Sequence, residues 1–204
     1  MAVGLARGAL RAFAIAVFAA SPATAGIEVH LPMSDEIDAQ PKSSAALGES
    51  FRGGVCAEAG GCDDSGGDLI AAESDDSGWA YYGTKGYVTG ATSLTDGRAN
   101  TQTALSDVND GNGVYNPPGF TPNSHKLCWN KTANGYGDWH VPSRDALEKV
   151  YDNLKGVISF RSDHYWSSTE TSADDAYRID FRDGAVQSWQ KNNTHSLRCV
   201  RRVD

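Results

Sequence analysis

The chain has 204 residues, a formal net charge of −8, 22 glycines, five tryptophans and eight tyrosines. This length suits one domain with a sizeable core, and the glycine and aromatic content favours a loop-rich domain with β-strands over a helical bundle. Acidic residues are concentrated between residues 26 and 78, which contain twelve Asp or Glu and only two basic residues, Lys42 and Arg52. That balance argues against nucleic acid as a partner, because a phosphate backbone demands a concentrated basic surface.

The first 25 residues have the features of a secretory signal peptide. Arg7 and Arg11 form the positive region, residues 12–20 are apolar, and Ala23-Thr24-Ala25 is a small-residue cleavage site. The apolar run is shorter than the ~20 residues that cross a bilayer, and the sequence predicts no transmembrane segment further along. Cleavage near Ala25 is therefore expected to deliver the mature chain to the periplasm, the cell surface or the medium.

The segment that follows is expected to be a flexible lead-in to a single folded domain. Residues 26–46 are polar, contain Pro32 and Pro41, and show no sustained hydrophobic period. The domain is then predicted to span residues 47–204. Its first half contains four candidate strands, the last of them the weakest, at residues 51–56, 68–72, 79–82 and 87–89.

The second half has the strongest signals of secondary structure. A helix is predicted at residues 143–154, where apolar residues recur at helical spacing after Ser143, a suitable N-cap. Residues 105–124 carry turn signals and are expected to be irregular, and residues 126–130 fit either the end of a short helix or a strand. Strands follow at residues 165–168, 176–181, 185–190 and 196–203, the middle two joined by a hairpin turn at Asp183-Gly184.

Four cysteines in an exported chain predict two disulfides, for which three pairings exist. Cys56 and Cys62 are close in sequence around two glycines, so a local bridge between them is the simplest choice. Cys128 and Cys199 would then close a loop of about 70 residues, worth roughly 4 kcal/mol in chain entropy. Zinc is the alternative, but the sequence has no C-x-x-C pair or paired-histidine spacing to support it.

A metal is suggested at one other place. Residues Asp107–Asn112 are rich in oxygen ligands, yet the glycine stands one place early for an EF-hand loop. The segment is interpreted as a turn. Calcium is the one cofactor that the sequence leaves open, no other cofactor is expected, and the residues of any metal site are unknown.

Taken in order, the motifs resemble the Lcl C-terminal domain family, a bacterial surface domain with a C-type-lectin-like fold. The matches span roughly residues 47–203, and His140 stands where the family more often has Arg, Lys or Tyr. The resemblance implies an α+β fold of short twisted antiparallel strands, one or two helices and long loops. The motifs are Gly53–Val55, Leu69–Ala72, Trp79, Asn100-Thr101, Leu127-Cys128, Gly135–Ser143, Tyr165–Glu170, Phe181–Gly184 and Arg198–Arg201, of which the middle and C-terminal ones are the specific ones.

For function, the resemblance implies non-enzymatic recognition or adhesion at the cell exterior, with a glycan, a glycoprotein, or a matrix or cell-surface protein as partner. Lectin-like folds display variable side chains from one sheet face and its loops. Trp189 either stacks on a sugar or faces inward, and the sequence leaves both open. The candidate ligand-binding residues are Asp163, His164, Tyr177, Arg178, Arg182, Trp189, Lys191, Asn192, Asn193 and His195.

Other motif residues are interpreted as structural. Trp139 and Trp166 are expected to fill the core, because large aromatic side chains dominate the buried area of small folds. Asp138 and the hydroxyls of residues 167–169 are expected to satisfy buried backbone groups.

Two other functions are weighed against recognition. One is a structural or assembly subunit of a surface appendage, attached through residues 26–46. The other is an oxidase related to the formylglycine-generating enzymes, which share the broader fold and use a reactive cysteine pair near the end of the chain. The oxidase requires a free thiol at Cys199, whereas the expected bridge to Cys128 removes it.

Overall fold

The computed structural model of the protein describes residues 43–83, 85–106 and 123–203. The expected signal peptide, residues 26–42 of the lead-in and the Asp107–Asn112 turn lie outside the described residues. The elements in chain order are β1 (Ser44–Ala45), β2 (Ser50–Phe51), β3 (Gly54–Cys56), β4 (Cys62–Asp63), β5 (Leu69–Ala71), β6 (Ser77–Tyr81), α1 (Gly97–Ser106), α2 (Ser124–Trp129), α3 (Arg144–Leu154), β7 (His164–Glu170), β8 (Asp175–Asp180), β9 (Val186–Gln190), β10 (Thr194–Leu197) and β11 (Val200–Arg202).

The strands of the described residues form three sheets, and the fold is α+β as predicted. The largest sheet has the order β6-β10-β7-β8-β9, a second has the order β11-β5-β3-β2, and β1 pairs with β4. Within the described part of the chain, β10 and β7 run parallel and the other paired strands run antiparallel. Because Ser44–Ala45 already form β1, the described fold begins inside the segment expected to be a lead-in.

Helix α3 covers one face of the five-stranded sheet and confirms the helix predicted from hydrophobic spacing. Its N-cap is Ser143, whose hydroxyl accepts a hydrogen bond from the N–H of Ala146 at 3.3 Å. Its buried side packs against aromatic and aliphatic residues of the two larger sheets. This core contains Val55, Leu69, Ala71, Ala146, Leu147, Val150, Leu154, Tyr165, Ile179, Phe181 and Val200.

Three strand predictions were wrong for separate physical reasons. The strand predicted over residues 51–56 is split by a two-residue turn, in which Arg52 and Gly53 adopt φ of 43° and 85°. Residues 87–89 form no strand, because the N–H of Thr89 donates to the carboxylate of Glu170 at 3.0 Å. The closing strand is divided between two sheets at Arg198, whose buried guanidinium donates to Asp75 at 2.7 Å.

Among the described residues, two helices precede α3. Helix α1 has a polar sequence whose buried residues are Gly97, Asn100, Thr101 and Ala104, so it lacks the apolar period that would predict a helix. Helix α2 settles the ambiguity at residues 126–130 in favour of a helix end, and its N-cap Asn123 accepts from the N–H groups of the first turn.

The cysteine pairing is confirmed: disulfides join Cys56 to Cys62 and Cys128 to Cys199. All four cysteines are therefore bonded, which removes the zinc alternative that needed them as thiolates. The second bridge ties α2 to the segment between β10 and β11. Within the described residues, none of the helices combines the length and the apolar character needed to cross a membrane.

The structural roles expected of the motif residues are confirmed with two exceptions. Trp139 and Trp166 are 1% and 0% exposed. The Ser167 hydroxyl donates to the Tyr177 carbonyl at 3.0 Å, and the Thr169 hydroxyl donates to the Ser93 carbonyl at 2.8 Å. The first exception is Asp138, whose carboxylate accepts a hydrogen bond from Nε of the Arg201 side chain at 2.7 Å instead of from a buried backbone group. The second is Ser168, whose hydroxyl accepts from the side-chain amide of Asn100 at 3.3 Å.

Candidate functional site: a histidine–arginine sheet face

The face of the five-stranded sheet that points away from α3 carries a concentration of polar and aromatic side chains. Side chains of directly paired residues lie on the same face of a sheet. The register pairs His164 with Asp180, Trp166 with Arg178, Arg178 with Gln187, Ala176 with Trp189 and Ala80 with His195. We call the resulting set the histidine–arginine face: His164, Arg178, Asp180, Gln187, Trp189 and His195.

Arg178 is the centre of this face. Its Nη1 lies 2.9 Å from His195 Nε2, and its Nη2 donates to Gln187 Oε1 at 2.7 Å. The guanidinium carbon lies 3.9 Å from the centroid of the Trp189 ring, a cation–π contact. Arg178 thus holds the indole in a fixed position on one side, while 44% of the Trp189 surface stays exposed. This exposure excludes the inward-facing role that the sequence left open for Trp189, whereas its contact with a ligand stays a prediction.

A second arginine lies at the edge of the same face. Arg182 Nη2 donates to Asp180 Oδ2 at 2.5 Å, and its backbone N–H donates to Asp180 Oδ1 at 2.9 Å. These hydrogen bonds lower the pKa of the Asp180 carboxyl to about 2, so the group is ionised at physiological pH. The Arg182 side chain remains 56% exposed and reaches His164 Nε2 at 3.3 Å. An external ligand can therefore meet its remaining N–H groups.

The two histidines of the face are neutral. Burial lowers the pKa of His195 to about 3, with a further contribution from the Arg178 charge. The pKa of His164 is also lowered, first by burial and then by Arg178. Because His195 Nε2 accepts from Arg178, its proton is on Nδ1. With both rings uncharged, the formal charges of Arg178 and Arg182 are balanced by Asp180 and the neighbouring Asp163.

The residues beside this face include one donor set of the kind that holds a transition metal. Oxygen or nitrogen atoms of Asp163, His164 and His195 lie within 4.8 Å of one another. These atoms are already engaged: Asp163 accepts from the Ser196 hydroxyl at 3.1 Å and from the N–H of His164 at 2.7 Å. A cation at this place would replace those hydrogen bonds and would lie against the Arg178 charge, so the donor set fits the hydrogen-bond network better than a metal.

The structure brings six of the ten candidate residues together and separates the other four. Asp163, His164, Arg178, Arg182, Trp189 and His195 lie on or beside the histidine–arginine face. Of the other four, Tyr177 points to the opposite face, where the Arg144 guanidinium lies 5.7 Å from its ring, and Asn192 and Asn193 are in the turn between β9 and β10. The fourth, Lys191, is buried.

The prediction that Lys191 contacts a ligand requires a correction. Its side chain is fully buried and forms an ion pair with Glu170, which is 1% exposed at its side chain, and its Nζ also donates to the Tyr87 carbonyl at 2.7 Å. It cannot contact an external ligand in this arrangement, contrary to the sequence-based expectation.

Sequence reasoning missed Asp180 and Gln187 as members of the face. The alternation of side chains along a strand could have indicated both. Asp180 is two residues from Arg178 and from Arg182, and Gln187 is two residues before Trp189. Recognising them required the register between β8 and β9, which pairs Arg178 with Gln187.

The described residues thus form an α+β fold with two disulfides and a partly exposed polar sheet face. The sequence model of the Lcl C-terminal domain matches residues 99–201, which is just over half of the chain and includes all four strands of the histidine–arginine face. The chain therefore belongs to the Lcl C-terminal domain family, a family of bacterial surface-type domains. A search among curated proteins found no match.

Proposed function

We propose that the protein is an exported, non-enzymatic recognition domain that binds a glycan or glycoprotein through the histidine–arginine face. The observation that carries this proposal is Trp189, an exposed indole held against the buried Arg178 guanidinium at 3.9 Å. A flat aromatic ring offers an apolar surface to the C–H groups of a sugar, while nearby polar groups bind its hydroxyls. The exposed Arg182 is such a donor, and Asp163, 38% exposed at its side chain, is such an acceptor.

The charge of the face supports a neutral polar ligand. Two arginines and two aspartates balance one another, and the histidines are uncharged, so the face does not form a one-sided electrostatic field. Its side chains are already hydrogen-bonded in place, so little conformational entropy is lost when a ligand binds. Both properties suit a sugar, because each of its hydroxyl groups can both donate and accept a hydrogen bond.

The proposal involves no catalysis and no cofactor. The oxidase alternative needed a free thiol at Cys199, and Cys199 is bonded to Cys128. The proposal places the protein outside the cytoplasm, in the periplasm, at the surface or in the medium, on the grounds of the signal-like first 25 residues.

One observation favours assembly as a second function. Strand β9 is at an edge of the five-stranded sheet, four of its five residues are exposed, and none of them is charged. Edge strands without charges can pair with a strand of another chain. Sedimentation of the oxidised protein over a range of concentrations tests this function, which predicts self-association, whereas a monomer at high concentration contradicts it.

The experiment for recognition is binding of the oxidised protein to an array of glycans, glycosaminoglycans and matrix proteins, first with calcium and then with a chelator. We expect a saturable signal that Trp189→Ala reduces at least tenfold, or about 1.4 kcal/mol. Trp79→Ala is the matched control, because Trp79 is 63% exposed on β6 but points to the opposite face from its neighbour Ala80 and therefore from His195. Equal losses for the two variants, or no signal on the array, would contradict the proposal.

A further inference from the structure

A second candidate site lies outside the histidine–arginine face. A cavity of about 300 Å³ opens beside the first turn of α1 and the end of β11. This volume is at the lower end of the range for small-molecule sites. The cavity is lined by Thr95, Asp96, Arg98, Asp138, His140 and Arg202, none of which was a ligand-binding candidate from sequence.

The feature that points to a ligand is an unused acceptor on His140, a side chain only 3% exposed. His140 Nδ1 lies 3.2 Å from the carbonyl oxygen of Asp138; since a carbonyl only accepts, Nδ1 carries the proton. Burial lowers the pKa of His140 to about 4, so the ring is neutral and Nε2 is left as an acceptor. Nε2 has no hydrogen-bond partner among the described residues. Unlike Ser124 Oγ and His125 Nε2, it is not an enclosed atom, so a ligand in the cavity can reach it.

His140 is held rigidly from two sides. Its backbone exchanges two hydrogen bonds with Val200 of β11, at 2.8 and 2.9 Å. On the other side, α1 approaches so closely that a Cβ on Gly97 would lie 2.5 Å from the Val141 carbonyl oxygen and 3.1 Å from His140 Cδ2. Glycine at this position allows the contact. The position of His140 in the cavity is therefore set by backbone packing, as expected for a preorganised site.

The other lining groups restrict the chemistry of the ligand. Asp138 uses Oδ1 to bind Arg201, and Asp96 uses Oδ1 to accept the N–H of Ala99 at 2.9 Å. The second carboxylate oxygen of each has no hydrogen-bond partner in the described part of the chain. Arg202, exposed, uses Nη1 to bind the Gly67 carbonyl and retains further N–H donors. The cavity thus presents several acceptors together with a donor.

We infer that this cavity binds a small polyol or a single sugar residue, one hydroxyl of which donates to His140 Nε2. Hydroxyl groups fit because each both donates and accepts, as required by the mixture of acceptors with Arg202. An ammonium or metal ligand fits less well, because the cavity carries the charge of Arg202 while the carboxylate of Asp138 is already paired with Arg201. This inference is independent of ligand binding at the histidine–arginine face.

The test is titration of the oxidised full chain, labelled with ¹⁵N, with glucose, galactose, mannose, ribose, glycerol and myo-inositol in turn. We expect at least one of these compounds to shift the Nε2 resonance of His140 saturably. His140→Phe should weaken its binding at least tenfold, whereas His140→Gln, which can place an acceptor near the position of Nε2, should retain part of the affinity.

Two further variants keep the test decisive. Arg202→Met changes an exposed side chain, so it should fold even if His140→Phe does not, and it should weaken binding several-fold. Trp189→Ala should leave this binding unchanged, which separates the cavity from the histidine–arginine face. Absence of saturable binding by all six compounds, or binding that His140→Phe and Arg202→Met leave intact, would overturn the inference.

Discussion

Lys191→Met removes a cation that is fully buried against the carboxylate of Glu170. Glu170 also accepts hydrogen bonds from the N–H groups of Thr89 and Gly90, each at 3.0 Å, and Lys191 donates to the Tyr87 carbonyl. The pair therefore fastens residues 87–90 to the ends of β7 and β9. The substitution is expected to destabilise the protein and to release this loop.

The loss of stability depends on which hydrogen bonds the remaining member of the ion pair keeps. Removing one member of a buried ion pair costs about 3–5 kcal/mol, because the other charge stays buried without compensation. After Lys191→Met, Glu170 still accepts from Thr89 and Gly90, so we expect a loss near 3 kcal/mol in the free energy of unfolding. After Glu170→Leu, Lys191 keeps only the Tyr87 carbonyl and two backbone N–H groups lose their acceptor, so we expect a loss of about 5 kcal/mol.

Urea denaturation followed by tryptophan fluorescence, with both disulfides intact, measures these losses. The double variant should lose less than the two single variants together, by about 1–3 kcal/mol, because no unpaired charge remains. The control is Lys149→Met, which breaks an ion pair with Glu58 that is 42% exposed at the lysine and should cost less than about 1 kcal/mol. A loss for Lys191→Met as small as that of the control, or strict additivity in the double variant, would refute the reasoning.

The remaining predictions concern the long disulfide, acid and metal. Replacing Cys128 and Cys199 by serine should lower the free energy of unfolding by about 4 kcal/mol, and an unchanged urea midpoint would contradict this. Burial lowers the pKa of His125 and of His140 to about 4, below the ~6.5 of the unfolded chain. The contribution of the two neutral histidines to the free energy of unfolding is therefore complete above pH ~6.5 and is lost as the pH falls towards 4. Equal stability at pH 7 and pH 4.5 would count against it. Arg178→Ala frees His195 Nε2 and should tighten zinc binding at least tenfold over wild type by calorimetry; equal affinities would show that Arg178 does not block a metal.

The parts of the fold that the sequence predicts correctly are those specified by local signals. The α3 helix follows from Ser143 and the apolar spacing after it, and the β8–β9 hairpin follows from Asp183-Gly184 between alternating segments. Helix α1 was missed because its sequence is polar, and its first residue is set by a close contact rather than by period: a side chain on Gly97 would collide with the Val141 carbonyl.

The features of the candidate site also fall into those that local sequence patterns predict and those that depend on the folded structure. The two-residue spacing predicts that Arg178, Asp180 and Arg182 share one side. The sequence does not show that α3 packs on the other side of the sheet and so leaves this side partly exposed. The burial of Lys191 was not predictable, because its partner Glu170 lies 21 residues away on a strand whose position depends on the whole sheet. The unused acceptor of His140 was equally hidden, since it depends on α1 and β11 meeting around one ring.

The central claim is that a ligand binds on the histidine–arginine face, and the most direct test is where that ligand contacts the protein. The indole N–H resonances of the oxidised, ¹⁵N-labelled protein can be followed while the strongest glycan from the array is added. Trp189 should shift saturably, and Trp79, on the opposite face, should serve as an unmoved reference in the same spectrum. A saturable titration that moves Trp79 and leaves Trp189 unchanged would contradict the account.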